Sequence, residues 1–497
     1  MGFEAQEFPD GSPSLIKDSS GSRWTPLFRK SCEFESQIFF KVMMNLIRNP
    51  NINSSWLFRA DILVERDLSQ QDVTTATDPA VTQPTILSFE DMHLDKALVR
   101  KLIPRNTLRD QPLDQTCLIY HGSGPGNVER SLVIYKPHVS SPDDMPFYHP
   151  KVQGIAFLHE WSADDEGSVS IHYHFFDDED RSPKLVGTAL NLLSVLHKHG
   201  EGTKKGYTKR VHHDTIIPQI SVQDTYTRLK QKYARQLIQT WVEVTDPSKH
   251  VFEDLSIAAF LIELWAQMYK DSPFPGFVDI GCGNGLLVHI LRKEGYSGWG
   301  FDARKRKSWE QYSDTISDGP EHQESLRQHV LLPSVIDHDL STKYENGEAI
   351  YNVDSTNLIH DGLFPEGTFI ISNHADELTP WTPILATISN CPFIMIPCCS
   401  HDLTGARFRA PAPKAQNKSP SAYSSLVEWI KNIEKDCGWE VETEMLRIPS
   451  TRNTGLIGRK RSSSSAVDIQ QVIAKYGGTE GYADNVMKLI ESKPRGH

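Results

Sequence analysis

The stretch Phe277-Val278-Asp279-Ile280-Gly281-Cys282-Gly283-Asn284-Gly285 constrains this chain more than any other. A short apolar run containing one acid passes into three glycines at alternate positions. Residues 286–293 then carry a helical apolar pattern. A strand, a glycine-rich turn and a helix in that order bring bare backbone amides close to a nucleotide-like ligand. A second short run, Gly298-Trp299-Gly300-Phe301-Asp302, also ends in an acid. An acid at that place can accept hydrogen bonds from both ribose hydroxyls of an adenosine. The G-x-G-x-x-G spacing of dinucleotide dehydrogenases is absent.

The spacing D-x-G-x-G-x-G instead resembles class I S-adenosylmethionine (SAM) methyltransferases. The competing reading is a purely structural turn in another doubly wound sheet. The pattern downstream alternates between short apolar runs and helical periodicity. Strands are predicted at 330–339, 367–372, 393–397, 440–446 and 454–458, and helices at 379–389 and 426–436. Such alternation gives an α/β fold with a mostly parallel sheet and ligands at the carboxyl ends of its strands. A helix over 251–269, just before the glycines, is expected to form one wall of the cofactor site.

At 497 residues the chain holds two or more domains. We expect a loose tail over 1–30, rich in Gly, Ser and Pro. An α+β, strand-rich module follows over 31–215, a candidate tRNA-binding module. A Rossmann-like class I methyltransferase domain is expected over 216–461 and a helical tail over 462–497. In the N-terminal module, strands are predicted at 116–120, 132–135, 155–158 and 169–176, and helices at 36–47 and 185–199. His172 and His174 share a strand; core or solvated histidines explain them better than metal ligands, since no Cys or carboxylate partner is evident.

The start of the chain is acidic and lacks the basic-then-apolar pattern of a leader, and no apolar run is long enough to span a bilayer. Seven cysteines, an odd number, fit reduced thiols better than a disulfide framework. A soluble cytoplasmic protein is therefore expected. The net charge of -12 does not mark a nucleic-acid binder. Local basic clusters at 204–210, 304–307 and 459–461 still offer phosphate contacts, with solvated surface as the plain alternative.

The strand ends predicted to meet in one crevice carry the chemistry. Asp279, Gly281, Gly283, Asn284 and Gly285 would orient the methionine part of SAM, and Asp302 its ribose. Asp339, or a neighbour within 335–340, is the candidate for the adenine. His374, Asp376 and Glu377 are the acid-base candidates by position, since a ribose hydroxyl is a poor nucleophile until its proton is removed. Arg304, Lys305, Arg306 and Lys307 lie at the rim for substrate phosphates, and His401 faces the substrate. His374, Cys398, Cys399 and His401 invite a zinc reading, but adjacent cysteines chelate one ion poorly and no C-x-x-C is present. No metal is expected.

Residues 279–309 and Asn373-His374-Ala375-Asp376-Glu377-Leu378-Thr379-Pro380-Trp381 resemble the eukaryotic tRNA (uracil-2'-O)-methyltransferase family that modifies uridine 44 of serine tRNA. So do Ile396-Pro397-Cys398-Cys399-Ser400-His401, Pro104-Arg105-Asn106, Pro146-Phe147-Tyr148-His149-Pro150 and residues 249–254. The resemblance implies SAM-dependent 2'-O-methylation of a tRNA uridine. It also implies S-adenosylhomocysteine as product and a cytoplasmic location. The Lys-Asp-Lys-Glu tetrad of many ribose methyltransferases is not identifiable. A methyltransferase for a protein or small molecule, and an inactive scaffold in RNA processing, are the alternatives.

Overall fold

The structure is a computed structural model. It describes residues 3–68, 82–107, 109–162, 166–176, 182–206, 213–316, 323–336, 344–345, 348–349, 358–412, 421–462 and 467–491. The chain divides into two compact units, Met1–Lys209 and Arg210–His497.

The first unit is built on one eight-stranded antiparallel sheet. Its strands are β1 (Gln6–Glu7), β2 (Thr25–Cys32), β3 (Leu57–Asp67), β4 (Met92–Pro104), β5 (Leu113–Ser123), β6 (Glu129–Pro137), β7 (Gly154–Trp161) and β8 (Gly167–His174). They lie in the order β1-β2-β8-β7-β6-β5-β4-β3. Two helices, α1 (Ser36–Arg48) and α2 (Pro183–Lys204), cover one face. In α1 the buried residues are Phe39, Val42, Met43, Leu46 and Ile47, the spacing of a single helical stripe. They pack on Val133, Tyr135, Ile155 and Phe157 of the sheet. The alternate residues Leu132, Ile134, Ala156 and Leu158 form a second core with Ile16, Trp24 and Phe89. A strand thus buries both of its faces.

That second core corrects the expectation of a loose tail over 1–30. Trp24 is wholly buried, and β2 begins one residue later. A few apolar anchors in a Gly- and Ser-rich stretch suffice to tie it down. Arg100 on β4 is also buried. Its Nη1 donates to the carbonyls of Leu46 (3.3 Å) and Ile47 (2.6 Å), and its Nε and Nη2 donate to Gln115 Oε1. A cation here satisfies the orphan carbonyls at the end of α1. His172 is a core histidine bonded to Ser170 Oγ, held down to about 3 by burial and then by the charge of Arg130.

The second unit is a three-layer α/β/α domain. Its strands are β9 (Phe277–Ile280), β10 (Gly298–Asp302), β11 (Leu326–Gln328), β12 (Phe369–Asn373), β13 (Phe393–Ile396), β14 (Glu442–Met445) and β15 (Thr454–Gly458). The sheet order is β11-β10-β9-β12-β13-β15-β14. The first five run parallel, and β15 is antiparallel to both of its neighbours. Helices α3 (Gln219–Gln239), α4 (Pro247–Met268) and α5 (Leu286–Lys293) cover one face. Helices α6 (Thr382–Ile388), α7 (Ala422–Asp436), α8 (Ile469–Lys475) and α9 (Tyr482–Glu491) cover the other. The alternation is clear in β9, where Phe277 joins the first core and Val278 and Ile280 join the second.

Two expectations change here. The third parallel strand is Leu326–Gln328, not 330–339. Val330–Leu331 pairs instead with Ile359–His360 in a separate ribbon, so the longer apolar run was the wrong guide. The segment after 467 is no appended tail. Val472, Ile473, Tyr482 and Val486 are buried in the second core, and Tyr482 donates its hydroxyl to the Leu331 carbonyl. Among the described residues, no helix is long and apolar enough to cross a membrane.

Trp265 of α4 anchors the first core. Its ring meets those of Phe274, Phe277, Tyr296 and Phe369 at centroid distances of 4.6 to 5.6 Å. Trp265→Ala is expected to cost about 3–5 kcal/mol in the stability of this unit. Urea denaturation followed by circular dichroism measures it, and a loss below about 1 kcal/mol would contradict this packing.

Candidate active site

The glycine turn lies at the carboxyl end of β9. Gly281, Gly283 and Gly285 all have positive φ, at 73°, 53° and 76°. A Cβ on Gly285 would lie 2.4 Å from Leu326 Cδ1, and one on Gly281 would lie 3.0 Å from Ala375 Cβ. Only at Gly283 is the space open. The first and third glycines therefore let the chain pack, while the middle one leaves room for something else.

Asp302, at the end of β10, ties this turn down. Its Oδ2 accepts from the Gly283 N–H (3.0 Å) and its Oδ1 from the Arg304 N–H (3.1 Å). Trp309 donates its Nε1 to the Gly283 carbonyl at 2.9 Å, and Ser308 donates its Oγ to the Asn284 carbonyl at 2.8 Å. Asn284 caps the start of α5 by accepting from the Leu286 N–H. Burial raises the Asp302 carboxyl above its ordinary range, against the pull of these amides and of Arg306 and Arg304.

The neighbouring strand ends hold a concentration of buried polar atoms with no partner among the described residues. Asp279 Oδ1 on β9, Ser372 Oγ and Asn373 Oδ1 on β12, His374 Nδ1 just beyond it, and Ser400 Oγ and His401 Nδ1 after β13 are all in this state. Buried polar groups are normally paired, so a cluster of exceptions marks a place where a polar ligand completes the bonding. The adjacent turn is strained as well: His374 and Asp376 have φ of 52° and 45°, rare for residues with a Cβ.

Helix α4 supplies two acids to the same place. Glu253 Oε1 lies 3.1 Å from His374 Nε2, and Asn373 Nδ2 donates to Asp254 Oδ1 at 3.4 Å. Both acids are buried. Burial, and then the charge of Glu253, raises Asp254 to about 8. Asp279 is pushed well up by burial, then by the charges of Asp254 and Asp302. A group of carboxyls crowded in a dry place suits a ligand that brings positive charge.

Across the crevice, Asp376 Oδ1 accepts from the Cys398 thiol at 3.0 Å. Arg452 donates to the Cys398 carbonyl and, at 3.5 Å, to Cys399 Sγ. Asp376, Cys398 and Cys399 form the one group of metal-type side chains found close together among the described residues; His374 and His401 fall outside it. Burial and then Asp376 push the Cys398 thiol up, and burial does the same to Cys399. The trio reads better as a hydrogen-bonded mount for Asp376.

The remaining candidates divide. Burial raises Glu377, which senses the charges of Asp376, Asp302 and Arg304. Burial lowers His401, and its backbone bridges to Arg407. Arg304 and Arg306 are half-buried and act on Asp302, whereas Lys305 and Lys307 are exposed. Asp339 lies outside the described residues. Arg459 is paired with Glu442, and Arg461 lies over the Trp439 ring. Sequence reasoning assigned no role to Glu253, Asp254 or Arg452. The available signal was a pair of adjacent acids next to the apolar run 257–262 of α4.

Residues 6–210 match a family described as TRM44-like, N-terminal bet v1-like domain. Residues 216–333 match one described as predicted AdoMet-dependent methyltransferase. A Neurospora crassa protein named tRNA (uracil-O(2)-)-methyltransferase is 59% identical, over 97% of this chain and 96% of its own length. Proteins of the same name from Schizosaccharomyces pombe and Saccharomyces cerevisiae are 41% and 36% identical. They cover 96% and 97% of this chain, and 95% and 96% of themselves.

Two predictions follow from the geometry. Gly283→Ala meets only the strain of a positive φ, about 1–2 kcal/mol of stability, yet it is expected to weaken adenosyl ligands by about tenfold or more. Isothermal titration with S-adenosylhomocysteine checks this; unchanged affinity would show that the open space is not ligand space. The second concerns pH. Asp254 is at about 8 when folded against 3.8 as a free side chain. The folded chain thus holds the extra proton between those values, and stability falls as pH rises from 4 to 8. Asp254→Asn cannot ionise. Its thermal stability relative to wild type should rise across that window and level off above it; parallel curves would contradict the burial of this acid.

Proposed function

The chain belongs to the tRNA (uracil-O(2)-)-methyltransferase family, and from that premise we propose the site chemistry, the tRNA and the position on which it acts. It is a SAM-dependent methyltransferase that forms 2'-O-methyluridine in tRNA, with S-adenosylhomocysteine as the second product. The substrate is serine tRNA and the position uridine 44, a reading supported by the motif resemblance at 279–309 and 373–381. Seven cysteines, all free, support a reducing compartment such as the cytoplasm.

The residues present fit the cofactor. The observation that carries the reading is the unpaired Asp279 Oδ1, buried beside an open Gly283 and below the amide-held Asp302. Asp279 and the turn 281–285 would hold the amino-acid end, and Asp302 would hold the ribose with its remaining lone pairs. SAM supplies, when bound, a methyl group on a positively charged sulfur. A positive charge there would favour the ionised form of the buried acids Asp254 and Asp279, which burial otherwise keeps protonated.

Asp376 accepts the proton of the ribose 2'-hydroxyl as its oxygen is methylated. Cys398 holds Asp376 Oδ1, and Cys399 also bonds to this carboxylate, so the two thiols mount the base. His374, clamped to Glu253, orients the strained turn and presents the acceptor. Glu377, raised by burial, senses the charge of Asp302 and lines that side of the site. Lys305 and Lys307 meet tRNA phosphates at the rim, assisted by Arg304 and Arg306, and His401 lines the acceptor side.

The test is methyl transfer from labelled SAM to tRNA lacking the modification, with nuclease mapping of the product. Label is expected in 2'-O-methyluridine at position 44 of serine tRNA. Asp302→Ala should weaken SAM binding by about 10–100-fold, as loss of hydrogen bonds to a charged group implies. Asp376→Asn should lower kcat by about 100-fold or more with SAM affinity intact. Full kcat in Asp376→Asn would move the base elsewhere. Absence of label from every tRNA would overturn the substrate reading.

A further inference from the structure

The first unit carries a surface feature that methyl transfer does not use. Trp56, at the start of β3, and Phe147, between β6 and β7, are 45% and 54% exposed. Their rings meet edge to face at 5.4 Å. Large exposed apolar side chains are ordinary when scattered singly. These two are in contact and are surrounded by cations from two further segments. The Arg109 guanidinium lies 5.5 Å from the Trp56 ring centre and 5.9 Å from that of Phe147. Lys184 Nζ, in the first turn of α2, lies 4.1 Å from the Phe147 ring centre. Arg105 lies over Phe58 at 5.8 Å and fastens the loop by donating to the Ser55 carbonyl.

Acids share these segments, with Asp110 beside Arg109 and Asp143 and Asp144 on the loop of Phe147. The chain carries -12 overall, yet Arg105, Arg109 and Lys184 are all exposed, and no ion pair to any of them occurs among the described residues. Asp143, the acid on the adjoining loop with an ion pair, is held by Lys151 at 3.6 Å. Lysine in the first helical turn is also out of place for stability, since that end of a helix prefers anions. Cations with no ion pair among the described residues, set around exposed rings, match an anionic ligand with flat, stackable groups.

We propose that Trp56 and Phe147, with Arg105, Arg109 and Lys184, form a stacking platform for an unpaired segment of the tRNA. At least one base lies on the rings, and the flanking phosphates meet the three cations. Unpaired bases are the part of an RNA that proteins grip by stacking, and the ring contact is tolerant of base identity. The cations account for an electrostatic share of binding, which salt weakens. The proposal rests on tRNA being the substrate. It assigns the first unit to holding the substrate, while the second unit carries out methyl transfer.

The experiment measures the affinity of the full chain for unmodified tRNA at several salt concentrations, alongside SAM affinity and melting temperature. Trp56→Ala with Phe147→Ala should weaken tRNA binding by about 5–100-fold with the salt slope kept, and Trp56→Phe should restore part of it. Arg109→Gln with Lys184→Gln should weaken binding and reduce the salt slope by about 1.5, the share of two phosphate contacts. Melting temperature and SAM affinity should stay at wild-type values in all of them. Wild-type tRNA affinity in both double variants would overturn the platform while leaving tRNA as the substrate. Failure of the wild-type chain to bind or methylate any tRNA would overturn both. Loss of binding to another protein, with tRNA affinity kept, would reassign the surface to a protein partner and equally overturn the proposal.

Discussion

The Asp302 carboxylate joins the ends of two parallel strands by accepting from the Gly283 and Arg304 amides. Backbone amides at a tight turn and a carboxylate at the next strand end are complementary only if the turn has this shape. The shape requires three consecutive alternate residues at positive φ, and glycine alone adopts it without strain. Trp309 and Ser308 then bond the outer carbonyls of the same turn, so the loop after β10 and the loop after β9 become one rigid piece. The remaining site is placed relative to that piece. Parallel pairing sets Ile371 beside Asp279, which brings Asn373 and His374 over the turn.

The same region concentrates groups that cost stability. Asp254 and Asp279 are buried acids with folded values above their ordinary range, and several polar atoms beside them lack partners among the described residues. His374 and Asp376 hold backbone conformations that side chains disfavour. Such costs are tolerated where the surrounding fold is strong. Here the sheet is buried on both faces and Trp265 anchors one of them. Buried carboxyls gathered at the strand ends suit a cationic cofactor, whose positive charge would favour their ionised form.

Much of the second unit was readable from sequence because its signals are contiguous. The strand, glycines, helix and second acid between 277 and 302 lie within one short stretch, and their chemistry and geometry are specified by the same residues. The first unit was harder. β3 is broken by irregularities between Leu57 and Arg59 and between Ile62 and Val64, and β4 by another between Leu94 and Lys96. Each one shifts the alternation that marks a strand. The tail expectation over 1–30 failed because single anchors such as Trp24 leave no periodic trace. Glu253 and Asp254 were legible only as adjacent acids next to an apolar run, and their contacts with His374 and Asn373 required the sheet to be assembled. The strained φ at His374 and Asp376 left no glycine to announce it. The identity of the methyl acceptor came from motif resemblance and from relatives, since the geometry of the crevice specifies a cofactor more closely than a substrate.

The most direct test of the account is a crystal structure of the chain with S-adenosylhomocysteine. The account predicts that the ribose hydroxyls sit within about 3 Å of the Asp302 carboxylate. The ligand should pass over Gly283, its amino-acid end should reach Asp279, and its sulfur should face the turn that carries Asp376. A ligand bound elsewhere, or bound with Asp302 and Asp279 untouched, would contradict it.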